Sequence, residues 1–389
     1  MTNSTLEVFG DTGADRERWL EMWALCGREP FAHPDYIRLM GSPGDQPHLL
    51  VAHCAAGIEI LPLVLRPLTD LSWTGGTDLC DAASPYGYGG PYSSGAPVYG
   101  TWRGLAEWFN QHQVVAWFGR LALGSPVEAD PSALSKPSTD SVPFGVNSAG
   151  STTVRCDADN VIVALKYSEA EQWRRYAPKV RKNVNKAVRA GLRVEVAPHF
   201  SDLKEFTSLY AATMERRAAA AWYRFDVAFF TALTIALSGR YLAAEVRDRT
   251  GRLVSAELVL MSDRRAYSFL GGTYPDAFPD APNDLLKHAV INHAREIGCV
   301  EYVLGGGSRP EDGIFRYKRA FDHGGVLPFH RVQMVVDNQA YQRLTQMRSQ
   351  FERILTPDAQ LQGDYFPTYR AGRIPAPEGK DHLVTPGAR

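Results

Sequence analysis

The sequence lacks any run of 18 apolar residues, the length that a membrane-spanning helix requires. Its first residues are polar and acidic, without the apolar core of a signal peptide. Five cysteines are scattered along the chain without a Cys-x-x-Cys pair, so neither a structural zinc site nor a disulfide framework is predicted. Together these absences predict a reduced, cytoplasmic protein that holds no metal.

An excess of charge of either sign is missing as well. The chain carries 42 Lys and Arg against 43 Asp and Glu, for a formal net charge of −1. This balance excludes a broad basic surface that coats RNA, but it leaves room for a local basic patch. The hydrophobic fraction of 44% excludes a disordered chain, and the length of 389 residues predicts two or three domains.

The motifs of several common enzyme classes are absent. The sequence contains no Gly-x-Ser-x-Gly nucleophile turn, no His-Glu-x-x-His zinc motif, no P-loop and no Gly-x-Gly-x-x-Gly dinucleotide fingerprint. The hydrolases, zinc enzymes and nucleotide enzymes that depend on those motifs are therefore not predicted.

What is present is an alternation of predicted helices and strands in each half of the chain. Residues 124–150, rich in proline and serine, divide the halves. Each half follows the order helix, helix, hairpin, strand, helix, strand, which predicts one mixed α/β module used twice. We expect a first domain over residues 1–150 and a second over 151–325. A strand and a helix at 326–355 are expected to pack on the first domain, followed by a loose tail at 356–389.

A basic segment lies within a predicted helix over residues 169–190. Lys182, Lys186 and Arg189 share one face of this helix, and apolar residues occupy the other. A solvated helix surface explains such a run as well as a phosphate-binding surface does. The candidate contacts for phosphate or RNA are Lys179, Arg181, Lys182 and Lys186.

Three consecutive glycines follow a predicted strand and precede a basic, aromatic segment. Gly305, Gly306 and Gly307 would let backbone N–H groups approach an anion or a carbonyl group. The following segment presents Arg316 and Lys318. The alternative interpretation is a flexible loop before a surface turn.

Two smaller features are also candidates. Tyr86 and Tyr88 alternate with glycine, which is typical of a ligand contact but also of a packed turn. Glu257 lies in an otherwise apolar predicted strand, where an unpaired carboxylate is costly. It is therefore either a hydrogen-bonded strut or a functional acid or base.

Taken together, these segments resemble the FemABX-like branch of the GNAT superfamily. The match rests on Lys179-x-Arg181-x-x-Val184-x-Lys186, on Tyr267-Ser-Phe-Leu-Gly271-Gly272, on Gly305-Gly306-Gly307 continuing to Tyr317-Lys318, and on the weaker Tyr88-Gly-Gly-Pro91. The resemblance implies an α/β fold of the α+β type. In such a fold two tandem GNAT-like domains each form a mixed, largely antiparallel sheet flanked by helices.

The resemblance also implies a function. Characterised members transfer an aminoacyl group from aminoacyl-tRNA to an amine, so the expected partners are the acceptor end of an aminoacyl-tRNA and a small-molecule or peptide amine. That amine would belong to a cell-wall precursor or a specialised metabolite, and no cofactor is expected. The implied catalytic residues are Lys318 and Tyr317, with Glu257 as a further candidate. The implied substrate-binding residues are Tyr86, Tyr88, Arg216, Tyr223, Tyr267, Gly305, Gly306, Gly307 and Arg316.

Two departures from related proteins bear on the substrates. The coiled-coil arm of some FemABX members is missing, and the peptidoglycan acceptor of those members is therefore not a firm expectation. The Q/R-x-x-G-x-G/A motif that holds the pyrophosphate of acetyl-CoA in ordinary GNAT proteins is absent too, which favours the tRNA donor. An acyl-CoA-dependent N-acyltransferase of the same fold remains the alternative, and a degenerate module that only binds ligand is a third.

Overall fold

The computed structural model describes residues 6–54, 57–95, 102, 104–124, 151–307, 311–355, 361 and 365–371. The chain divides into two compact units, the first formed by Met1–Asp157 with Phe329–Arg389 and the second by Ala158–Pro328. Residues 125–150, which hold nearly all of the predicted linker, lie outside the described residues.

The first unit is a mixed sheet flanked by helices. Its strands are β1 (Leu6–Gly10), β2 (Gln46–Cys54), β3 (Gly57–Pro67), β4 (Cys80–Ala83), β5 (Tyr92–Ser93), β6 (Val114–Arg120) and most of β13 (Val326–Val335). Its helices are α1 (Gly13–Leu25), α2 (Pro34–Met40), α3 (Leu105–Gln111) and α10 (Asn338–Leu355), with short 3-10 turns at Pro30–Ala32 and Thr368–Arg370. The strand order is β1-β2-β3-β4-β6-β13, with β5 paired to β3. Among these described strands, β4 and β6 pair in parallel and the other pairs are antiparallel.

The second unit is built in the same way. Its strands are β7 (Ser151–Ala164), β8 (Arg193–Ala197), β9 (Tyr241–Arg247), β10 (Leu253–Met261), β11 (Arg265–Thr273) and β12 (Glu301–Gly305). Its helices are α4 (Glu169–Arg175), α5 (Pro178–Arg189), α6 (Leu203–Arg216), α7 (Val227–Ala236), α8 (Pro282–Glu296) and α9 (Gly313–Arg319), with 3-10 turns at Ala221–Tyr223 and Pro275–Asp280. The strand order is β7-β12-β11-β10-β9-β8, and β11–β12 is the parallel pair within this described sheet.

The two units share one plan. Each starts with a strand and two helices, continues through three antiparallel strands and a helix, and returns in a strand parallel to the fourth. A sixth strand, β13 in the first unit and β7 in the second, completes each sheet. The expectation of mixed, largely antiparallel sheets flanked by helices is confirmed. The leading strand β1 was not predicted from the sequence.

The predicted helix over residues 169–190 is two helices. Proline disfavours helical geometry in the residue before it and has no N–H to donate. Accordingly Ala177, directly before Pro178, has an extended ψ of 147°, and α5 starts at Pro178. The first helix, α4, is fixed at its start by a capping box between Ser168 and Glu171.

The core of the second unit determines which faces of its helices point outward. In α5, Val180, Val184 and Ala187 recur at helical spacing and are buried. In α8, Leu286 and Val290 are fully buried against the sheet. Because the apolar stripe of α5 faces the core, its lysines are directed to solvent.

The C-terminal segment differs from the expected loose tail where it is described. Tyr369 is fully buried, and Arg370 Nε donates to Asp81 Oδ2 at 2.5 Å. Asp81 is fully buried on β4 and also accepts from Arg66 at 2.6 Å. Residues 365–371 are therefore held to the first unit by a buried ring and by a shared ion pair. Sequence composition gave no sign of these contacts because the partners lie far away in the chain.

No helix in the described part of the chain is both long and apolar enough to cross a membrane.

Candidate active site

The second unit opens where its two parallel strands part. The register of β11 and β12 runs from Arg265 opposite Glu301 to Tyr267 opposite Val303 and then stops. Both strands continue, β11 to Thr273 and β12 to Gly305. The carboxyl ends of parallel strands are a common place for ligands in α/β folds. The glycine segment and α9 follow β12 directly at this point.

Lys318 is held at this opening by the backbone. Helix α9 begins where the Asp312 side chain accepts a hydrogen bond from the Phe315 N–H at 2.7 Å, and Phe315 anchors the helix in the core. Three residues further on, the half-buried Lys318 donates from Nζ to the carbonyl of Gly306 at 2.6 Å. Gly306 lies against β7, where an added Cβ would come within 3.0 Å of the Asp159 carbonyl oxygen. The glycine segment thus contributes a carbonyl that orients the lysine.

The ammonium of Lys318 is easier to deprotonate than usual. Burial is the main cause that lowers its pKa to about 8, and the nearby positive charges of Lys287 and Arg217 act in the same direction. Glu257 and Asp312 oppose this shift through their negative charges. Near neutral pH the group is mainly a cation in a poorly hydrated place, where a charge acts more strongly than in water.

Glu257 is a hydrogen-bonded strut. Its carboxylate accepts from Ser268 and from Lys287 Nζ at 2.5 Å on one oxygen, and from the Tyr302 hydroxyl at 2.8 Å on the other. Lys287 also donates to Ser268 at 2.7 Å and to Tyr302 at 3.2 Å. All four groups are satisfied in a network that ties β10, β11, β12 and α8 together. The proposed acid–base role of Glu257 is therefore replaced by a structural one.

Tyr317 places a hydroxyl in the same region. Its ring packs edge-on against Phe321 at 5.5 Å, and its hydroxyl oxygen is buried without a hydrogen-bond partner among the described residues. Burial raises the pKa of Tyr317 well above its ordinary value, and the negative charges of Asp284 and Glu257 add to the rise. The hydroxyl thus stays protonated and is available to a ligand.

Asp284 is the group that the sequence did not reveal. It lies in the first turn of α8 and is 6% exposed, with the Asn183 amide donating to it at 3.2 Å. Burial raises its pKa to about 6, against the opposing effects of Asn183 and the Lys179 charge. From the sequence, this residue had the position of an ordinary acidic residue at a helix start. Its burial depends on the packing of α5 against α8, which no local pattern encodes.

The basic face of α5 is confirmed as a surface, with one exception. Lys179, Lys182, Lys186 and Arg189 are exposed, and none forms an ion pair with a described residue. The prediction for Arg181 is corrected. Its guanidinium donates to the carbonyls of Arg174 at 3.1 Å and of Tyr176, which are the last carbonyls of α4. It therefore closes the end of a helix and is not free for phosphate.

The predicted substrate residues fall in several places. Arg216 lies over the ring of Phe278 at 5.1 Å, whereas its neighbour Arg217 is the arginine whose charge reaches Lys318. Tyr223 is half-buried, and its carbonyl accepts from Tyr210 at 2.7 Å. Tyr267 is corrected to a core residue, since it is 2% exposed.

The remaining predicted residues divide between the units. Gly305 ends β12 with a φ of 76°, Gly307 follows Gly306, and Arg316 is exposed on α9. Tyr86 and Tyr88 belong to the first unit. There the ring of Tyr88 packs against Phe31 at 5.4 Å, and the Tyr86 ring lies 5.9 Å from the Arg120 guanidinium. The described residues thus gather Lys318, Tyr317, Gly306, Glu257 and Asp284 in the second unit.

Comparison with known proteins places the fold in a family. Residues 174–319 match the family described as "Acetyltransferase (GNAT) domain". The structure is similar to that of FemX, with a TM-score of 0.56 and 13% identity over 80% of this chain and 92% of the other. It is also similar to a conserved protein of unknown function from Bacteroides thetaiotaomicron, with a TM-score of 0.53 and 11% identity over 86% and 99%. L-PGS from Bacillus licheniformis gives a TM-score of 0.47 and 12% identity over 88% and 98%. No curated protein matches the chain.

The class that the domain match and the fold define is the GNAT-type acyltransferase. The expectation of an acyltransferase is confirmed at that level. Within the class, the resemblance to FemABX-like double-GNAT proteins is confirmed for the fold, since FemX shares it over most of both chains.

Proposed function

We propose that the chain is an aminoacyltransferase that moves an aminoacyl group from aminoacyl-tRNA to an amine, forming an amide. The observation that supports it most directly is the Lys318 ammonium, oriented by the Gly306 carbonyl at the opening between β11 and β12. The acceptor amine belongs, in this proposal, to a cell-wall precursor or a specialised metabolite.

The chemistry needs no protein nucleophile. The ester that joins an amino acid to tRNA is already activated, and an amine held against its carbonyl carbon attacks directly. As the carbonyl becomes tetrahedral its oxygen gains negative charge, and a fixed cation beside it stabilises that charge. Lys318 supplies such a cation, and the Tyr317 hydroxyl supplies a hydrogen-bonding group in the adjacent position on α9.

The basic face of α5 offers a place for RNA phosphates. Four exposed cations, Lys179, Lys182, Lys186 and Arg189, follow one another along the helix, which contains no acidic residue. The charge of Lys179 acts on Asp284, so the helix begins close to the site. A local patch of this size suits brief contact with the end of a tRNA and not the coating of a long RNA.

The start of α8 disfavours a CoA donor. A helix N-terminus binds phosphate through free backbone N–H groups and its positive dipole end. Here the first turn contains Pro282, which has no N–H, and Asp284, whose carboxylate repels a phosphate when ionised. This supports the tRNA donor over the acyl-CoA alternative.

A comparison of donors tests the proposal. Purified protein is incubated with amine acceptors and, in parallel, with charged total tRNA or with a set of acyl-CoA thioesters, and the amide product is followed by mass spectrometry. We expect amide only from charged tRNA, and its loss when the tRNA is first deacylated. Product from a thioester, unaffected by tRNA, would select the acyl-CoA alternative. Binding of ligand without product from either donor would select a binding-only module.

A further inference from the structure

The proposed reaction leaves one proton to be accounted for. When an amine attacks an ester, the new C–N bond leaves a positive charge on nitrogen, and a proton must depart before the amide is stable. Lys318 is a cation in the role described above and cannot take that proton while it stabilises the oxyanion. Glu257 is fully engaged with Ser268, Lys287 and Tyr302.

Asp284 is a buried carboxyl group in a different situation. It is 6% exposed, and its hydrogen-bonding side-chain partner is the neutral amide of Asn183 at 3.2 Å. Glu257, with comparable burial, forms an ion pair with Lys287. A buried carboxylate that lacks a hydrogen-bonded cation destabilises a fold, and such groups are enriched at functional sites.

Tyr317 connects this carboxyl group to the opening. Its hydroxyl is buried and has no hydrogen-bond partner among the described residues, although Asp284 is close enough for its charge to act on the phenol. Tyr317 is also the neighbour of Lys318 on α9. An unpartnered buried hydroxyl, with a carboxyl on one side and the candidate catalytic lysine beside it in sequence, has the makings of a proton path.

We propose that Asp284 accepts the proton of the attacking amine through the hydroxyl of Tyr317. This inference rests on the proposed function. The amine nitrogen bonds to the carbonyl carbon, and the bond from that carbon to the ribose oxygen breaks. Tyr317 takes the amine proton as it hands its own to Asp284, and Lys318 donates a proton to the departing ribose oxygen. Solvent then removes the proton from Asp284 and returns one to Lys318. Tyr317 touches the amine in this scheme, and Asp284 is a positioning residue that acts through it.

A double-mutant cycle tests the path. Single-turnover transfer from aminoacyl-tRNA is measured between pH 5 and pH 8 for wild type, Asp284→Asn, Tyr317→Phe and the double variant. Each single change is expected to slow transfer roughly 10²-fold, the lower end for loss of a general base. The double variant should be no slower than the slower single variant, because both changes interrupt one path. Multiplied losses in the double variant would overturn the proposal.

The pH profile gives a second, independent readout. The carboxyl must be ionised to accept a proton, so the wild-type rate should rise with pH through the pKa of Asp284, about 6. That rise should be absent from the residual activity of Asp284→Asn and retained by Asp280→Asn, a matched removal of one acid four residues earlier. A rise that persists in Asp284→Asn would contradict the path.

Folding is checked by thermal unfolding of the same variants. The pKa of Asp284 is raised from 3.8 to about 6 in the folded chain, so the folded state binds more protons than the unfolded state between those values. Stability therefore falls as pH rises through that window, and the loss persists above it. Asp284→Asn should unfold at no lower a temperature than wild type at pH 7.5. If wild type transfers nothing from charged tRNA, the proposed function fails and the path with it; if wild type transfers and the variants behave as wild type, the path alone fails.

Discussion

At the scale of single residues, the site depends on how burial divides the work among similar groups. Lys287 and Lys318 are both lysines near Glu257, yet Lys287 is neutralised by an ion pair and Lys318 is bonded only to a carbonyl. The same contrast separates Glu257 from Asp284. A charge that is matched inside the fold stabilises it, and a charge left unmatched is available for chemistry.

The titration of Lys318 gives a prediction at this scale. Its ammonium must be protonated to stabilise the oxyanion, and its pKa is lowered to about 8, so the transfer rate should fall as pH rises through that value. Arginine stays charged throughout this range. In Lys318→Arg, any remaining activity should therefore lose the decline, which single-turnover rates between pH 7 and pH 9 measure. A decline of equal size in Lys318→Arg would assign the titration to another group.

Sequence reasoning found Lys318 and Tyr317 because they are adjacent and follow a distinctive glycine run. It could not decide between the two roles open to Glu257, since the three partners of that residue come from β11, α8 and β12. It missed Asp284 for the same reason. Residue type and spacing predict which side chains are chemically capable, whereas tertiary contacts decide which of them are already paired.

At the scale of elements, α5 combines a structural and a binding role. Its valines face the core, its lysines face solvent, and Arg181 closes the end of α4. The amphipathic pattern was readable from the sequence because it is local. The break at Pro178 and the function of Arg181 were not recovered, because a basic residue that caps a neighbouring helix is identical in sequence to one that binds phosphate.

The division within α5 can be tested by RNA binding. Lys182→Ala with Lys186→Ala should weaken binding of tRNA and reduce the dependence of log Kd on log salt by about two contacts. Arg181→Ala should leave that dependence unchanged and lower the free energy of unfolding by about 1 kcal/mol, the usual loss for helix-end hydrogen bonds. Titrations at several salt concentrations distinguish them, with Lys204→Ala on α6 as the surface control. An equal salt effect from Arg181→Ala or Lys204→Ala would refute a specific basic face.

At the scale of the whole molecule, the chain repeats one plan in two units without visible sequence similarity between them. The repeat was predicted from the order of elements, which follows from hydrophobic periodicity. The C-terminal segment was not, because Tyr369, Arg370 and their partner Asp81 are separated by almost the length of the chain. Long-range ion pairs of this kind leave no periodic signal.

The C-terminal attachment predicts a stability effect remote from the site. Arg370→Ala removes one of the two guanidinium groups that neutralise the fully buried Asp81 and should cost about 3 kcal/mol, the lower end for breaking a buried pair. Urea unfolding measures it, with Arg343→Ala on exposed α10 as the control. Retained stability in Arg370→Ala would mean that Arg66 alone neutralises Asp81.

The central claim is that Lys318 stabilises the transition state of transfer from aminoacyl-tRNA. The most direct test is the single-turnover rate of amide formation from charged tRNA, measured for wild type, Lys318→Ala and the neighbouring surface variant Arg319→Ala. We predict a rate about 10²- to 10³-fold lower for Lys318→Ala, the usual effect of removing one oxyanion-stabilising group, and little change for Arg319→Ala. A Lys318→Ala variant that transfers at the wild-type rate would contradict the account.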